Sequence, residues 1–167
     1  PVDDYFNYDP NVKHEIDFLA NAYEKYTSGF ATIKIRSHSE NMFEYWCEKR
    51  DDIDWVYKNG DSGQTYMSIV YLTGSGKQRL FYPDYILRKK DGSVWLLEAK
   101  GGESADGSSQ NIDDQAENKF NVLKQYAEKH NLNWGFVRNY DNQLFLNNNE
   151  WHEEMGDDHW ELLDNKI

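Results

Sequence analysis

Residues 80–87 and 94–99 are two apolar runs separated by the turn signal Lys89-Lys90-Asp91-Gly92, and each run carries charge within it. Asp-Gly between such runs favours a tight hairpin. Side chains alternate faces along a strand, so Glu98 and Lys100 share one face while Ala99 points to the other. Asp84, with thirteen residues between it and Glu98, is brought alongside by the turn. A fold built on this hairpin must therefore place two carboxylates and an ammonium at the ends of neighbouring apolar strands. Burying that charge is costly unless a cation or substrate compensates it, which reads as a site rather than scaffold.

The remaining segments frame the hairpin. Residues 11–26 carry Ile16, Leu19, Ala20, Tyr23 and Tyr26 at helical spacing after Asp9-Pro10, predicting a packing helix within a lead-in over residues 1–30. A short strand follows over 32–35. Ser39 is placed to cap a helix running to about Arg50, with Met42, Phe43, Trp46 and Cys47 as its apolar stripe. Strands are predicted over 54–57, 66–72, 80–87 and 94–99, with turn signals at Asn59-Gly60, Gly74-Ser75-Gly76 and Asp91-Gly92 between them. These three connections imply an antiparallel meander. After a Gly/Ser-rich stretch over 101–110, Ile112, Ala116, Phe120, Leu123 and Ala127 define a long helix, and strands follow over 133–140 and 143–146. The expected fold class is α/β, a mixed and mostly antiparallel sheet flanked by helices. Its core spans residues 31–146 and is followed by an acidic tail, 147–167, in which Trp151, Trp160, Leu162 and Leu163 can dock.

A chain of 167 residues, 38% apolar and 16% aromatic, suits one globular domain. No apolar run reaches the length of a membrane span and the start has no signal-peptide pattern, so a cytoplasmic protein without membrane association is expected. Cys47 is the one cysteine, which excludes a disulfide framework or a cysteine zinc site within this chain. Pro1 in place of Met reads as a piece of something longer. The net charge of -12 opposes unaided DNA binding. The excess acid lies mainly at the two ends: residues 139–167 hold eight acids against one base. The middle is nearly neutral and can line a phosphate-binding groove, with DNA delivered by another domain or subunit.

The carboxylates of Asp84 and Glu98, with the Ala99 carbonyl, offer hard oxygen ligands for Mg²⁺, with Mn²⁺ as a substitute. Such an ion activates water and neutralises a scissile phosphate, while Lys100 orients the water or stabilises developing charge. Pro83 suits a strand rim because it cannot donate a ladder hydrogen bond.

Pro83-Asp84 followed by Glu98-Ala99-Lys100 resembles the motif of PD-(D/E)xK nucleases. More narrowly, four phrases in order resemble the C-terminal endonuclease domain of type III restriction enzymes. They are Ser37-His38-Ser39-Glu40-Asn41-Met42-Phe43, Val56-Tyr57-Lys58-Asn59, Phe81-Tyr82-Pro83-Asp84-Tyr85-Ile86 and Leu97-Glu98-Ala99-Lys100-Gly101. The similarity covers residues 37–140. It implies a restriction-endonuclease-like sheet, Mg²⁺-dependent double-strand DNA cleavage, and attachment to an ATP-dependent helicase motor and a modification subunit. No GxxxxGK[ST] phosphate loop is present, so the motor would lie elsewhere. The resemblance makes Glu40 a fourth acid of the metal shell; its bland reading is a first-turn acid favoured by the helix dipole. The helical wheel sets Glu40 at the edge of the buried stripe and turns Glu44 toward solvent.

Lys58, Arg88, Lys89 and Lys119 are candidate DNA contacts, with Arg79 and Lys90 beside them; each alone reads equally as a solvated charge. In the tail, His152, Asp157, Asp158 and His159 lack the paired histidines of a zinc-hydrolase helix and read as a solvated terminus. Three other readings stand against a restriction nuclease. They are a repair or recombination nuclease of the same superfamily, an acidic DNA mimic or interaction protein, and an inactive nuclease fold kept for docking. The mimic predicts acids spread over a surface, and the inactive fold predicts loss of an acid or the lysine.

Overall fold

The computed structural model describes residues 36–60, 66–102, 112 and 114–167, and the backbone of 16–17 and 31–32. Its elements in chain order are β1 (Ile16–Asp17), β2 (Ala31–Thr32), α1 (His38–Glu48), β3 (Ile53–Lys58), β4 (Ile69–Leu72), β5 (Gln78–Phe81) and β6 (Tyr85–Lys89). They continue with β7 (Val94–Lys100), α2 (Ala116–His130), β8 (Asn133–Tyr140), β9 (Gln143–Asn147) and β10 (Glu161–Leu162), closed by a 3-10 turn at Leu163–Asn165. The fold is mixed α/β, with a six-stranded sheet in the order β10-β9-β8-β7-β6-β3 and a separate β4-β5 hairpin. All neighbours in the large sheet are antiparallel except β7 and β8. A parallel pair needs a crossover, and α2 lies in the connection between β7 and β8. This architecture is consistent with a restriction-endonuclease-like fold. Among the described residues no helix is long and apolar enough to cross a membrane.

Period-2 alternation along β6 and β7 divides the interior into two cores. Tyr85, Leu87, Trp95 and Leu97 face Phe43 and Cys47 of α1, while Leu96 faces Phe120, Leu123 and Ala127 of α2. α1 begins at Ser37, not at Ser39. The Ser37 hydroxyl accepts from the Glu40 N–H (3.2 Å) and the Glu40 carboxylate accepts from the Ser37 N–H (2.8 Å), a reciprocal cap that satisfies two orphan donors. Ser39 is instead buried within the first turn, as the second residue of α1. α2 ends at Asn131, which adopts φ 55°, a left-handed conformation that asparagine tolerates better than most residues.

Three expectations are corrected. The proposed helix over 11–26 meets a strand at Ile16–Asp17, whose backbone pairs with Ala31–Thr32; a ladder partner here overrides helical spacing, and the rest of that segment lies outside the described residues. The strand expected over 80–87 is two strands, broken at Tyr82-Pro83-Asp84, where Pro83 removes a ladder donor. As a result β3 pairs with β6, and the β4-β5 hairpin leaves the sheet to pack Ile69, Tyr71 and Phe81 on the α2 side. No simple meander forms. The Gly/Ser-rich residues 103–111 also lie outside the described residues. The tail docks through Trp160, Leu163 and Ile167, all buried, with β10 extending the sheet beside β9.

Phe120 is fully buried and meets Trp134, Phe136 and Trp151 edge-on, with centroids 4.9, 5.2 and 5.5 Å away. Phe120→Ala is expected to cost about 3–5 kcal/mol, measured as a lowered urea midpoint with the slope unchanged. A loss below about 1 kcal/mol would show that α2 does not carry this core.

Candidate metal centre

Four elements converge where β7 ends and β6 begins. Tyr85 lies opposite Leu97 in the ladder, so Asp84, one residue before β6, falls beside Glu98. Their backbones hold them together: the Asp84 N–H donates to Glu98 Oε2 (3.2 Å) and the Ala99 N–H donates to Asp84 Oδ2 (2.9 Å). Lys100 Nζ lies 2.9 Å from Glu98 Oε1, as strand parity requires. The structure thus brings together Asp84, Glu98, Lys100 and the Ala99 backbone.

Glu40 joins through Lys58. The Lys58 ammonium reaches 2.7 Å from Glu40 Oε1 and 2.7 Å from Asp84 Oδ1, with its side chain only 12% exposed. It also lies 4.7 Å from the centroid of the Tyr85 ring, a cation-π contact that adds to the two ion pairs. Lys58, one of the candidate DNA contacts, is not a solvated strand-edge charge: it lies between two acids as their counter-ion. Strand pairing causes this, since Lys58 lies opposite Tyr85 at the end of β3.

Charge and burial set the protonation. Burial, then the neighbouring Asp84 carboxylate, push Glu98 up to about 8 against the opposing pull of Lys100. Glu40 moves the other way: burial would raise it, but Lys58 and the Ser37 hydrogen bonds hold it below the usual carboxylate range. Burial would lower Lys58, but Asp84 and Glu40 together raise it. With Glu98 protonated, two anions, Glu40 and Asp84, face two cations, Lys58 and Lys100. The centre is then balanced without any ion.

The surroundings fix the backbone of this site. Ser39 Oγ lies 2.7 Å from Lys100 O and 2.6 Å from Asn139 Oδ1, and Asn139 Oδ1 also accepts from Gly102 N–H (3.1 Å). Arg138, fully buried on β8, donates from Nε to Gly101 O (2.7 Å). Glu44, predicted to face solvent, is buried; it accepts from the Tyr85 hydroxyl (2.8 Å) and from Arg36 Nε (2.7 Å). These two partners make its burial tolerable. The charge within the otherwise apolar β8 run was a readable signal for Arg138. Nothing local to the sequence marked Ser39 or Glu44.

Other candidates lie apart. Arg88 and Lys89, toward the far end of β6, reach Asp54 (3.8 Å) and Asp52 (3.1 Å). Arg79 and Lys90 are exposed on β5 and on the β6-β7 turn. Lys119 lies part-buried on α2. The chain matches no protein-family model and no curated protein at significant similarity.

Lys58→Met removes the shared cation. A stability loss of about 2–3 kcal/mol is expected at pH 7 in chelator, below the range for a fully buried pair because water still reaches Asp84. Chemical denaturation checks it, and an unchanged midpoint would refute the counter-ion role. Glu98 has a folded pKa raised above its unfolded value, so its protonated form contributes stability that is lost as pH rises from about 4.5 to about 8. In chelator, Glu98→Gln should therefore gain stability relative to wild type across that window. A pH-independent difference between the two would contradict this.

Proposed function

We propose that this chain is a metal-dependent DNA endonuclease domain, the nuclease module of a type III restriction enzyme. The observation that carries the reading is the pair of hydrogen bonds, Asp84 N–H to Glu98 Oε2 and Ala99 N–H to Asp84 Oδ2, which holds two carboxylates side by side at a sheet rim. Carboxylates and a backbone carbonyl suit Mg²⁺ or Mn²⁺. The Lys58 ammonium between Glu40 and Asp84 is a stand-in for positive charge at that place, which supports the fit. Asp84, Glu98 and the Ala99 carbonyl would hold the ion, with Glu40 supporting. When bound, the ion would supply an activated water and neutralise charge on the phosphate.

The protein's own residues do the rest. To serve as a ligand Glu98 would have to be ionised, so binding would release any proton it carries. Lys58, which shares Asp84, would compete with the ion for that carboxylate. Lys100, held by Glu98, is placed to orient the attacking water or to stabilise charge on a phosphate oxygen. Double-stranded DNA is the proposed substrate, with a helicase/ATPase domain and a modification subunit as partners that deliver it. A cytoplasmic location fits that role. Acids gathered around two ammonium groups support this reading over a DNA mimic, whose acids would be spread across a surface.

Supercoiled plasmid incubated with Mg²⁺, with Mn²⁺ or with chelator tests the proposal. Wild type should cut only with metal, and Asp84→Ala should lose at least about 100-fold in rate, the scale of removing one electrostatic stabiliser. Cutting that persists in chelator or in Asp84→Ala would overturn it. Metal binding offers a second readout: Lys58→Met should show a larger Mg²⁺-induced rise in melting temperature than wild type, because no ammonium competes for Asp84. An equal or smaller rise would contradict the competition.

A further inference from the structure

The tail expected to be a plain solvated terminus gathers His152, Asp157 and His159, with one ligand atom from each lying within 4.8 Å of the others. His152 Nε2 is 2.7 Å and His159 Nδ1 is 3.1 Å from the same atom, Asp157 Oδ2. The other carboxylate oxygen, Oδ1, is occupied by the His159 N–H (2.9 Å), so Oδ2 is the oxygen turned to both rings. The two imidazoles are stacked, 4.3 Å apart and 7° from parallel; an imidazole binds a metal near its own ring plane, so one ring must turn before both nitrogens face a single ion. His159 Nδ1 is buried and has no hydrogen-bond partner of acceptable geometry.

We propose that His152, Asp157 and His159 form a second metal site, one for a zinc-class transition ion and distinct from the Asp84 centre. Two imidazoles and one carboxylate are the ligand chemistry of Zn²⁺ and Co²⁺, whereas Mg²⁺ prefers oxygen alone. With bonds of about 2.0–2.1 Å, a tetrahedral ion needs ligand atoms about 3.3 Å apart; the two nitrogen–oxygen pairs open by less than about 1 Å, and one of the stacked rings turns to bring its nitrogen toward the ion. The three side chains are about one-third exposed, so solvent completes the coordination. The strongly acidic tail around them draws in cations.

The ion would act as a clip. The Trp160 indole N–H donates to His152 O (3.1 Å) and the Trp160 ring lies 5.2 Å from the Arg138 guanidinium. Arg138 donates to Glu153 O and to Gly101 O, directly after Lys100. Closing residues 152–159 on a metal would therefore pin the segment that covers Arg138 and, through it, the end of β7. The inference rests on the tail geometry and does not depend on nuclease activity.

The test is calorimetric titration of Zn²⁺ into the chelator-stripped full chain with excess Mg²⁺ present. One Zn²⁺ per chain is expected at micromolar or tighter affinity. Asp157→Asn and His159→Gln should each weaken it by at least about 100-fold, beyond the effect of losing a supporting group, while Asp84→Asn should bind as wild type. Affinity unchanged in both tail variants, or lost only in Asp84→Asn, would overturn the site, as would weak binding without defined stoichiometry. Should either tail variant fail to fold, Co²⁺ absorption of the wild type decides alone: four-coordinate bands are expected, and a six-coordinate all-oxygen spectrum would refute the proposal. Zn²⁺ should also slow amide exchange over residues 156–160, and unaltered exchange would refute the clip.

Discussion

The Lys58 ammonium between Glu40 and Asp84 is the interaction around which the site is built. Two acids from different elements approach one another at a sheet rim, and a third, Glu98, lies beside them. Without a cation, their mutual repulsion and desolvation would open the junction of α1, β3, β6 and β7. Lys58 answers two of the acids, while burial and Asp84 raise the pKa of the third, Glu98, against the pull of Lys100.

The fold makes this arrangement possible through two pieces of backbone chemistry. Pro83 ends the β5 strand and lets β6 begin at Tyr85, which sets Asp84 just outside the ladder with its own N–H aimed at Glu98. The α2 crossover then places β8 parallel to β7 and brings Arg138 against the Gly101 carbonyl and Asn139 against the Gly102 N–H and the Ser39 hydroxyl, which also meets the Lys100 carbonyl. The end of β7 is consequently braced from α1 through Ser39 and from the C-terminal tail through Arg138. Rigid support of this kind is what a site needs if its ligands are to stay aligned.

Local rules were enough for the hairpin. Parity along β7 puts Glu98 with Lys100, and the Asp91-Gly92 turn brings Asp84 alongside, so this part was legible from residue order. So were the apolar stripe of α2 and the strands on either side of Tyr140. The role of Lys58 was not, because it depends on β3 skipping the β4-β5 hairpin to pair with β6, a non-local choice that turn signals cannot reveal. Glu44 was misplaced for a related reason: its burial is paid for by Arg36 and Tyr85, which come from outside its helix. The histidines and aspartate of the tail read as a solvated terminus because their spacing matches no helical ligand pattern, and only the fold of the tail brings the three side chains together.

Diffraction from crystals grown with Mn²⁺ tests the central claim most directly, since anomalous scattering locates the ion and the map shows Lys58 in the same experiment. The account predicts one Mn²⁺ bound by both Asp84 and Glu98, with the Lys58 ammonium withdrawn from Asp84 Oδ1. Lys58 remaining between Glu40 and Asp84 at saturating Mn²⁺, with no ion shared by Asp84 and Glu98, would contradict it.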